Sequence, residues 1–381
     1  MFEFVFHNPT KIVFGRGREG LIGSEIREAG CRRVLFVHGQ QSVKRSGLYE
    51  RTLASLQEAG VEAVPFGGVV PNPVLSHTRQ GVALAKIQQA DGVLAVGGGS
   101  VLDEAKAIAA GACSDRDVWD FFLGEPITAA LPVFTILTLA ATGSEMNRNS
   151  VVTNEESRQK YAISSPHLAP RVSILNPELT CTVPLDHSTY GAVDAIAHVI
   201  EAYFTGRIRA RLQDRLVEAI VRTVMDSHNQ ILEHPTSYEA RAELMWAATL
   251  ALNGLTTAGV GGYGMPNHMI EHSLSAFYNI PHGAGLAIVI PAWMKWLAPR
   301  QPAPFERFAR EIFGKTRAAD AISGLETWFR AIKAPTRLGE VHIPAADIPA
   351  LAENAHGLAR QWGLADVYTP ATIGQILELA A

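Results

Sequence analysis

The 381-residue chain is poor in cysteine. Cys31, Cys113 and Cys181 are scattered, odd in number and form no C-x-x-C pair. That excludes a disulfide framework and a thiolate zinc site, and it fits a reduced, cytoplasmic setting. The chain also lacks surplus positive charge: 33 Lys and Arg stand against 37 Asp and Glu, a formal net charge of −4. Coating a nucleic acid needs the opposite balance, so no nucleic-acid partner is expected. Long apolar runs are missing too. The best one, from Gly283 to Trp293, is closed by Lys295 and falls short of the roughly 18 uncharged residues that span a bilayer. Met1-Phe-Glu-Phe-Val-Phe6 has no basic stretch and does not read as a signal peptide. Repeats and low-complexity tracts are absent. What is present is a 47% hydrophobic composition, which rules out a disordered chain, and a length that suggests about two domains.

The first half alternates short β-branched runs with helical stretches. Residues 33–38, 61–66, 91–96, 131–137 and 171–175 read as strands, and residues 47–59, 76–89 and 101–110 as helices. Such alternation predicts βαβ units and a parallel sheet flanked by helices. Beyond Pro184 the pattern turns helical: residues 190–204, 211–232, 238–255, 266–277 and 305–313 carry the 3.6-residue period, with Gly, Pro and Asn at the breaks. The expected organisation is an α/β domain over residues 1–182 and an all-helical domain over residues 183–381.

Two features of the first half point to a phosphate-bearing ligand. Gly97, Gly98, Gly99 and Ser100 follow a strand and open a helix, with Asp103 in its first turn. Glycines let backbone N–H groups approach an anion, and the new helix aims its positive end at the same place. The dinucleotide fingerprint G-x-G-x-x-G is not matched, so a tight turn using glycine for geometry alone remains the plain alternative. The second feature follows the strand at 33–38. An NAD site commonly places an acid at such a strand end, to accept from the ribose 2′-hydroxyl. Here Gly39, Ser42, Lys44 and Arg45 occupy that region, a set suited to a 2′-phosphate. Its plain alternative is a solvated basic loop.

The second half carries a metal-ligand pattern. Asp194 and His198 are four residues apart among Ala192, Val193, Ala195, Ile196 and Val199, so both share one helix face. An aspartate in so apolar a helix is costly unless it is paired or bound to a cation. His268 and His272 repeat the four-residue step, and His282 follows at a break. A single histidine on an apolar face is usually a core residue; an Asp-x3-His with a His-x3-His and a further His points to a metal. Imidazoles with one carboxylate suit Fe²⁺ or Zn²⁺.

Over nearly its whole length the chain resembles the iron-containing alcohol dehydrogenases, and within them the NADPH-dependent butanol dehydrogenase and aldehyde reductase branch. The resemblance rests on Pro71-Asn72-Pro73, Gly97 to Ser100 with Asp103, Ala141-Thr-Gly-Ser-Glu145, Asp194-x3-His198, and His268-x3-His272 running to Pro281-His282-Gly283. It implies an N-terminal dinucleotide-binding domain, a helical C-terminal domain and a homodimer. It also implies hydride transfer between NADP(H) and a primary alcohol or aldehyde. Asp194, His198, His268 and His282 match the family's ligands to one divalent metal, and His272 matches a histidine beside the metal. Gly97 to Ser100 matches the pyrophosphate loop. Asn72, Asp103, Thr138, Thr142, Ser144 and Lys160 match cofactor-lining positions, and Gly39 to Ser42 the segment that selects NAD or NADP. Residues 147–152 and 259–264 are where substrate preference is expected to vary. Glycerol- or glycerol-phosphate-type dehydrogenases and a dehydroquinate-synthase-like lyase share the fold. The lyase needs extra bases, and residues 259–285 contain no Lys or Arg.

Overall fold

Branched aliphatic runs build the first unit, residues 7–183. In the computed structural model, which describes residues 1–381, they form β1 (Lys11–Phe14), β2 (Arg33–His38), β3 (Glu62–Gly67), β4 (Gly92–Gly97), β5 (Val133–Leu137) and β8 (Val172–Leu175). All six pair in parallel, in the order β1-β8-β5-β4-β2-β3. Every residue of β4 and β5 is buried, as a parallel sheet covered on both faces requires. The crossovers are α1 (Ile22–Glu28), the short α2 (Ser42–Arg45), α3 (Leu48–Glu58), α4 (Leu75–Ile87), α5 (Gly99–Ala112) and α6 (Val118–Phe122). Ile22, Ile26, Leu48 and Leu56 pack from α1 and α3 onto Val34, Phe36, Leu94 and Phe134 of the sheet.

Strand order fixes where a ligand can sit. β2 has β3 on one side and β4 on the other, so the direction in which strands are added reverses between β2 and β4. Ligands of open α/β sheets bind outside the carboxyl ends of strands at such a reversal. The β2–α2 and β4–α5 turns lie there, side by side, because His38 pairs in register with Val96.

Besides β1, α1, α2 and α6, which are not among the expected elements, two parts of this unit differ from the sequence expectation. The helix expected from Val101 begins at Gly99, because the Gly98 carbonyl accepts the N–H groups of Val101 and Leu102. An antiparallel hairpin of β6 (Asn149–Asn154) and β7 (Gln159–Ser164) has no counterpart among the expected strands. β6 is bounded by asparagines and has no clear apolar alternation, so its stability comes from its partners.

The second unit comprises residues 184–381 together with residues 1–6, a segment that the strand–helix pattern groups with the α/β part. Phe2 N–H donates to the Gly259 carbonyl at 2.9 Å. The rest is helical: α7 (Leu185–Thr205), α8 (Arg211–Glu233), α9 (Tyr238–Ala251), α10 (Pro266–Tyr278), α11 (His282–Leu297), α12 (Pro302–Phe313), α13 (Ala318–Ala331), α14 (Ile348–Gln361) and α15 (Pro370–Glu378). α7 and α11 are the inner helices, buried on almost every face over residues 191–204 and 283–294. They pack on each other, and α10 packs against α11. No helix is long and apolar enough to cross a membrane.

Candidate metal and cofactor sites

The apolar surroundings of Asp194 make its carboxylate informative. It sits on α7, 2% exposed, and its Oδ1 has no hydrogen-bond partner. Three imidazoles surround that oxygen: His198 Nε2 at 3.5 Å, His268 Nε2 at 3.5 Å and His282 Nε2 at 3.7 Å. His268 Nε2 is also buried without a hydrogen bond. Buried polar atoms in native folds are almost always satisfied, so orphaned acceptors that face one point call for a cation. The spacing fits one: ligands about 2.0–2.2 Å from a tetrahedral ion lie about 3.3–3.6 Å apart. Asp194, His268 and His282 bring their ligating atoms within 4.8 Å of one another. His198 is stacked on His268, with ring centroids 4.6 Å apart. Burial would push the Asp194 carboxyl up, but His198, His268 and His282 hold it well below the usual carboxylate range. Burial pulls the His198 imidazole down to about 3, which keeps it neutral and able to ligate.

Helix packing sets this geometry. The i, i+4 step puts Asp194 and His198 on one face of α7. α11 approaches α7 so closely that a Cβ on Gly283 would lie 2.1 Å from the Tyr190 carbonyl oxygen, and this contact seats His282 at the start of α11. His272, one turn beyond His268 on α10, is 4% exposed and lies beside His282 and Trp362, with ring centroids 5.7 and 5.8 Å away. With Glu271 and His282 it forms a second close group of ligating atoms. The His282 side chain is 22% exposed, against 3% for Asp194 and 6% for His268, so within this unit the set is open at His282.

Sequence reasoning missed two carboxylates here. Glu201 on α7 and Glu271 on α10 are fully buried. Glu201 Oε2 lies 2.5 Å from His268 Nδ1, and Glu271 Oε2 bonds His282 Nδ1. The signal was available: Glu201 is seven residues after Asp194 in the same apolar helix, which puts it two turns along one face.

In the α/β unit, the residues expected around a nucleotide gather at the carboxyl edge of the sheet. Gly97 ends β4, Gly98 precedes α5 with no side-chain cap on the helix, and Gly99 begins it. A Cβ on Gly99 would lie 2.4 Å from Thr142 Oγ1, so only glycine permits this contact. Thr138 N–H donates to the Gly97 carbonyl at 2.9 Å. Asp103 does not point freely outward: its Oδ1 accepts from Ser144 Oγ at 2.6 Å and its Oδ2 from Val151 N–H at 3.1 Å. Lys160 donates to Asn72 Oδ1 at 2.9 Å, joining β7 to the turn before α4. The sequence reading also passes over Lys106. This fully buried ammonium donates to the carbonyls of Ser144, Asn147 and Asn149 and to the side chains of Ser144 and Asn147, at 2.6–3.1 Å.

Beyond β2, an open pocket of about 500 Å³ is lined by His38, Gln40, Gln41, Lys44, Tyr49 and Gly67 among others. Its lining includes no carboxylate. Burial lowers the His38 imidazole below its ordinary value against the upward pull of the Gly39 carbonyl, which leaves Lys44 as the cation of the pocket. Gly39 and Ser42 belong to the turn and helix that form this wall, and Gly39 has room for a side chain.

Comparison with known proteins gives the family. Residues 9–177 match the iron-containing alcohol dehydrogenase model, and residues 188–381 match the Fe-containing alcohol dehydrogenase family C-terminal model. A protein named probable NADH-dependent butanol dehydrogenase 1, from Bacillus subtilis, is 42% identical over 93% of this chain and 94% of its own. The NADPH-dependent aldehyde reductase YqhD of Escherichia coli is 36% identical over 94% and 95%. The crystal structure of NADH-dependent butanol dehydrogenase A from Thermotoga maritima superposes with a TM-score of 0.97 at 45% identity, covering 100% of this chain and 99% of that one. An orphaned Asp–His set in a helical unit, a glycine turn at a sheet reversal and matches along the full length agree: the chain belongs to the iron-containing alcohol dehydrogenase family, in its butanol dehydrogenase and aldehyde reductase branch.

Proposed function

We propose that the protein interconverts a primary alcohol and its aldehyde with NADP(H) and one divalent metal, Fe²⁺ or Zn²⁺, working chiefly as an aldehyde reductase. The observation that carries this reading is the convergence of three imidazoles on the buried, unpartnered Asp194 Oδ1. Asp194, His198, His268 and His282 would hold the cation, which supplies Lewis-acid polarisation of the substrate oxygen when bound. Residues 1–182 would serve the dinucleotide and residues 183–381 the metal and substrate. Gly97 to Ser100 and the uncapped start of α5 suit a pyrophosphate. Asn72, Asp103, Thr138, Thr142, Ser144 and Lys160 would line or shape the cofactor site, Asp103 and Ser144 through each other. His272 is positioned beside His282 to hold or release the proton that the alkoxide oxygen needs. Three cysteines that form no disulfide suit a cytoplasmic setting, and a homodimer follows from the family resemblance.

For the cofactor, Lys44 and the absence of a carboxylate around the β2 pocket support a 2′-phosphate. The names of the relatives favour a second reading, since NADH is named for the Bacillus and Thermotoga proteins and NADPH for the Escherichia one. The test is oxidation of NADPH and NADH with butanal, by chelated protein and by protein refilled with Fe²⁺ or Zn²⁺. Metal-dependent turnover with NADPH preferred is expected. Turnover that survives chelation refutes the metal role, and equal use of both cofactors refutes the selector. Gly39→Asp is expected to move preference towards NADH.

A further inference from the structure

Two histidines of the cluster, His268 and His282, each have a carboxylate behind them, and the two carboxylates are not equivalent. Glu201 reaches from α7 to the start of α10. Its Oε1 accepts the backbone N–H groups of Asn267 and His268, the second at 3.3 Å, while its Oε2 faces His268 Nδ1 at 2.5 Å. Met265 at the head of α10 offers no capping side chain, so Glu201 supplies a cap from another helix and grips a histidine with the same group. Glu271 Oε2 bonds His282 Nδ1, and its Oε1 accepts from Ser275 Oγ. Ser275 Oγ has a second acceptor, the Ile280 carbonyl, at 3.3 Å. A Cβ on Gly285 would lie 2.7 Å from Glu271 Cγ, so the glycine after His282-Gly283-Ala284 makes room for this arrangement.

We infer that Glu201 and Glu271 are positioning residues that fix the proton of His268 and His282 on Nδ1 and so present both Nε2 lone pairs to the metal, Glu201 irreplaceably and Glu271 replaceably by an amide. The inference rests on the metal reading of this site. A ligating imidazole whose other nitrogen donates to a carboxylate is held in one tautomer and orientation. Glutamine tests the difference atom by atom. In Glu201→Gln the single amide oxygen is claimed by two backbone N–H groups. The NH₂ then faces His268 Nδ1, which must become the acceptor and send its proton to Nε2. Turning the amide over sets NH₂ against the two backbone donors instead. In Glu271→Gln the NH₂ can donate to Ser275 Oγ, whose own hydrogen turns to Ile280, and the amide oxygen stays on His282 Nδ1–H.

The experiment is chelator competition for Zn²⁺, measured on wild type, Glu201→Gln, Glu271→Gln and Glu271→Leu, with the melting temperature of each chelated protein recorded beside it. Glu201→Gln and Glu271→Leu are expected to weaken Zn²⁺ binding about 10–100-fold, and Glu271→Gln by less than the lower end of that range. Equal losses for the two glutamine variants, or a larger loss for Glu271→Gln, would overturn the inference. If Glu201→Gln does not fold, the contrast between Glu271→Gln and Glu271→Leu still decides whether an acceptor at Nδ1 is what matters. A merely structural role would lower the melting temperature of the chelated protein and leave the Zn²⁺ affinity of the folded fraction alone. A wild type that binds no Zn²⁺ refutes the metal reading itself, whereas a wild type that binds while all variants match it refutes only the positioning role.

Discussion

Replacing Lys106 by methionine is expected to loosen the segment that carries Thr142 and Ser144. The Lys106 ammonium is fully buried on α5 and meets five oxygens: three carbonyls, at 2.6, 3.0 and 2.9 Å, and the side chains of Ser144 and Asn147, at 2.8 and 3.1 Å. Methionine fills the same stem volume without donating, so those oxygens lose the donor they share, at about 1–3 kcal/mol for each group left buried and unpaired. Some of that is offset. Burial itself lowers the ammonium to about 8 against the pull of Asp103 and Glu145, so the wild type already bears a desolvation cost that the variant escapes. Breaking one side of a buried charged network typically costs about 3–5 kcal/mol, and the lower end is the reasonable figure here. In a cooperative unit of this size each kcal/mol moves Tm by roughly 2–4 °C, so the α/β unit should melt roughly 6–12 °C earlier. Calorimetry can read this. Steady-state assays should show the KM for the nicotinamide cofactor rising more than kcat falls, because Ser144 Oγ, which links Lys106 to Asp103, would lose one of its two anchors. A Tm shift smaller than that of one kcal/mol, with an unchanged cofactor KM, would refute the view that this ammonium holds the segment.

Two further outcomes follow from the same unit. Gly99→Ala puts a methyl 2.4 Å from Thr142 Oγ1; overpacking of about 1–3 kcal/mol should weaken NADPH binding about tenfold by fluorescence titration while Zn²⁺ affinity holds, and an unaltered NADPH Kd would show that the contact is dispensable. His77 faces acceptors with both ring nitrogens, Glu104 Oε1 at 2.5 Å and the Gly67 carbonyl at 3.3 Å, and the Glu104 hydrogen bond, against burial, raises its pKa above the ordinary value. A raised folded pKa contributes stability that is complete below the unfolded value of about 6.5 and is lost as pH rises through the folded one. The Tm advantage of wild type over His77→Gln should therefore be largest below pH 6.5 and shrink above it, and an advantage that grew with pH would contradict the pairing.

What can be read without coordinates is whatever a local period or a local cost encodes. β4 is legible because both of its faces are buried, so Val93, Leu94, Ala95 and Val96 form an unbroken apolar run. Asp194 with His198 is legible because a carboxylate and an imidazole one turn apart in an apolar helix share one burial cost, which a cation common to both would offset. The hairpin β6–β7 is not legible, because Asn149 and Asn154 resemble loop residues and the strand is held from outside, by Lys106 at the Asn149 carbonyl and Asp103 at Val151 N–H. The start of α5 lies two residues ahead of its expected place because Gly98 and Gly99 discourage a helix on propensity, while the need to meet Thr142 closely selects glycine there all the same.

Glu201, Glu271 and Lys106 show where that boundary lies. Each is a charge inside an apolar helix, and each is as anomalous by composition as Asp194. The sequence can therefore mark all four as costly; it cannot say what offsets the cost. For Asp194 the answer has the form of a motif, because His198 lies one turn away. For Glu201 the answer is a histidine and two backbone N–H groups 66 and 67 residues distant. For Lys106 it is a loop about 40 residues on. A partner supplied by another helix or loop leaves no spacing to recognise. Charged residues that break an apolar helix are thus the positions at which a sequence reading should expect a tertiary clamp, even where a local neighbour, such as Asp103 for Lys106 or Ser275 for Glu271, lies one turn away. In this chain two of the three clamps hold the metal histidines, and the third holds the segment expected to line the cofactor.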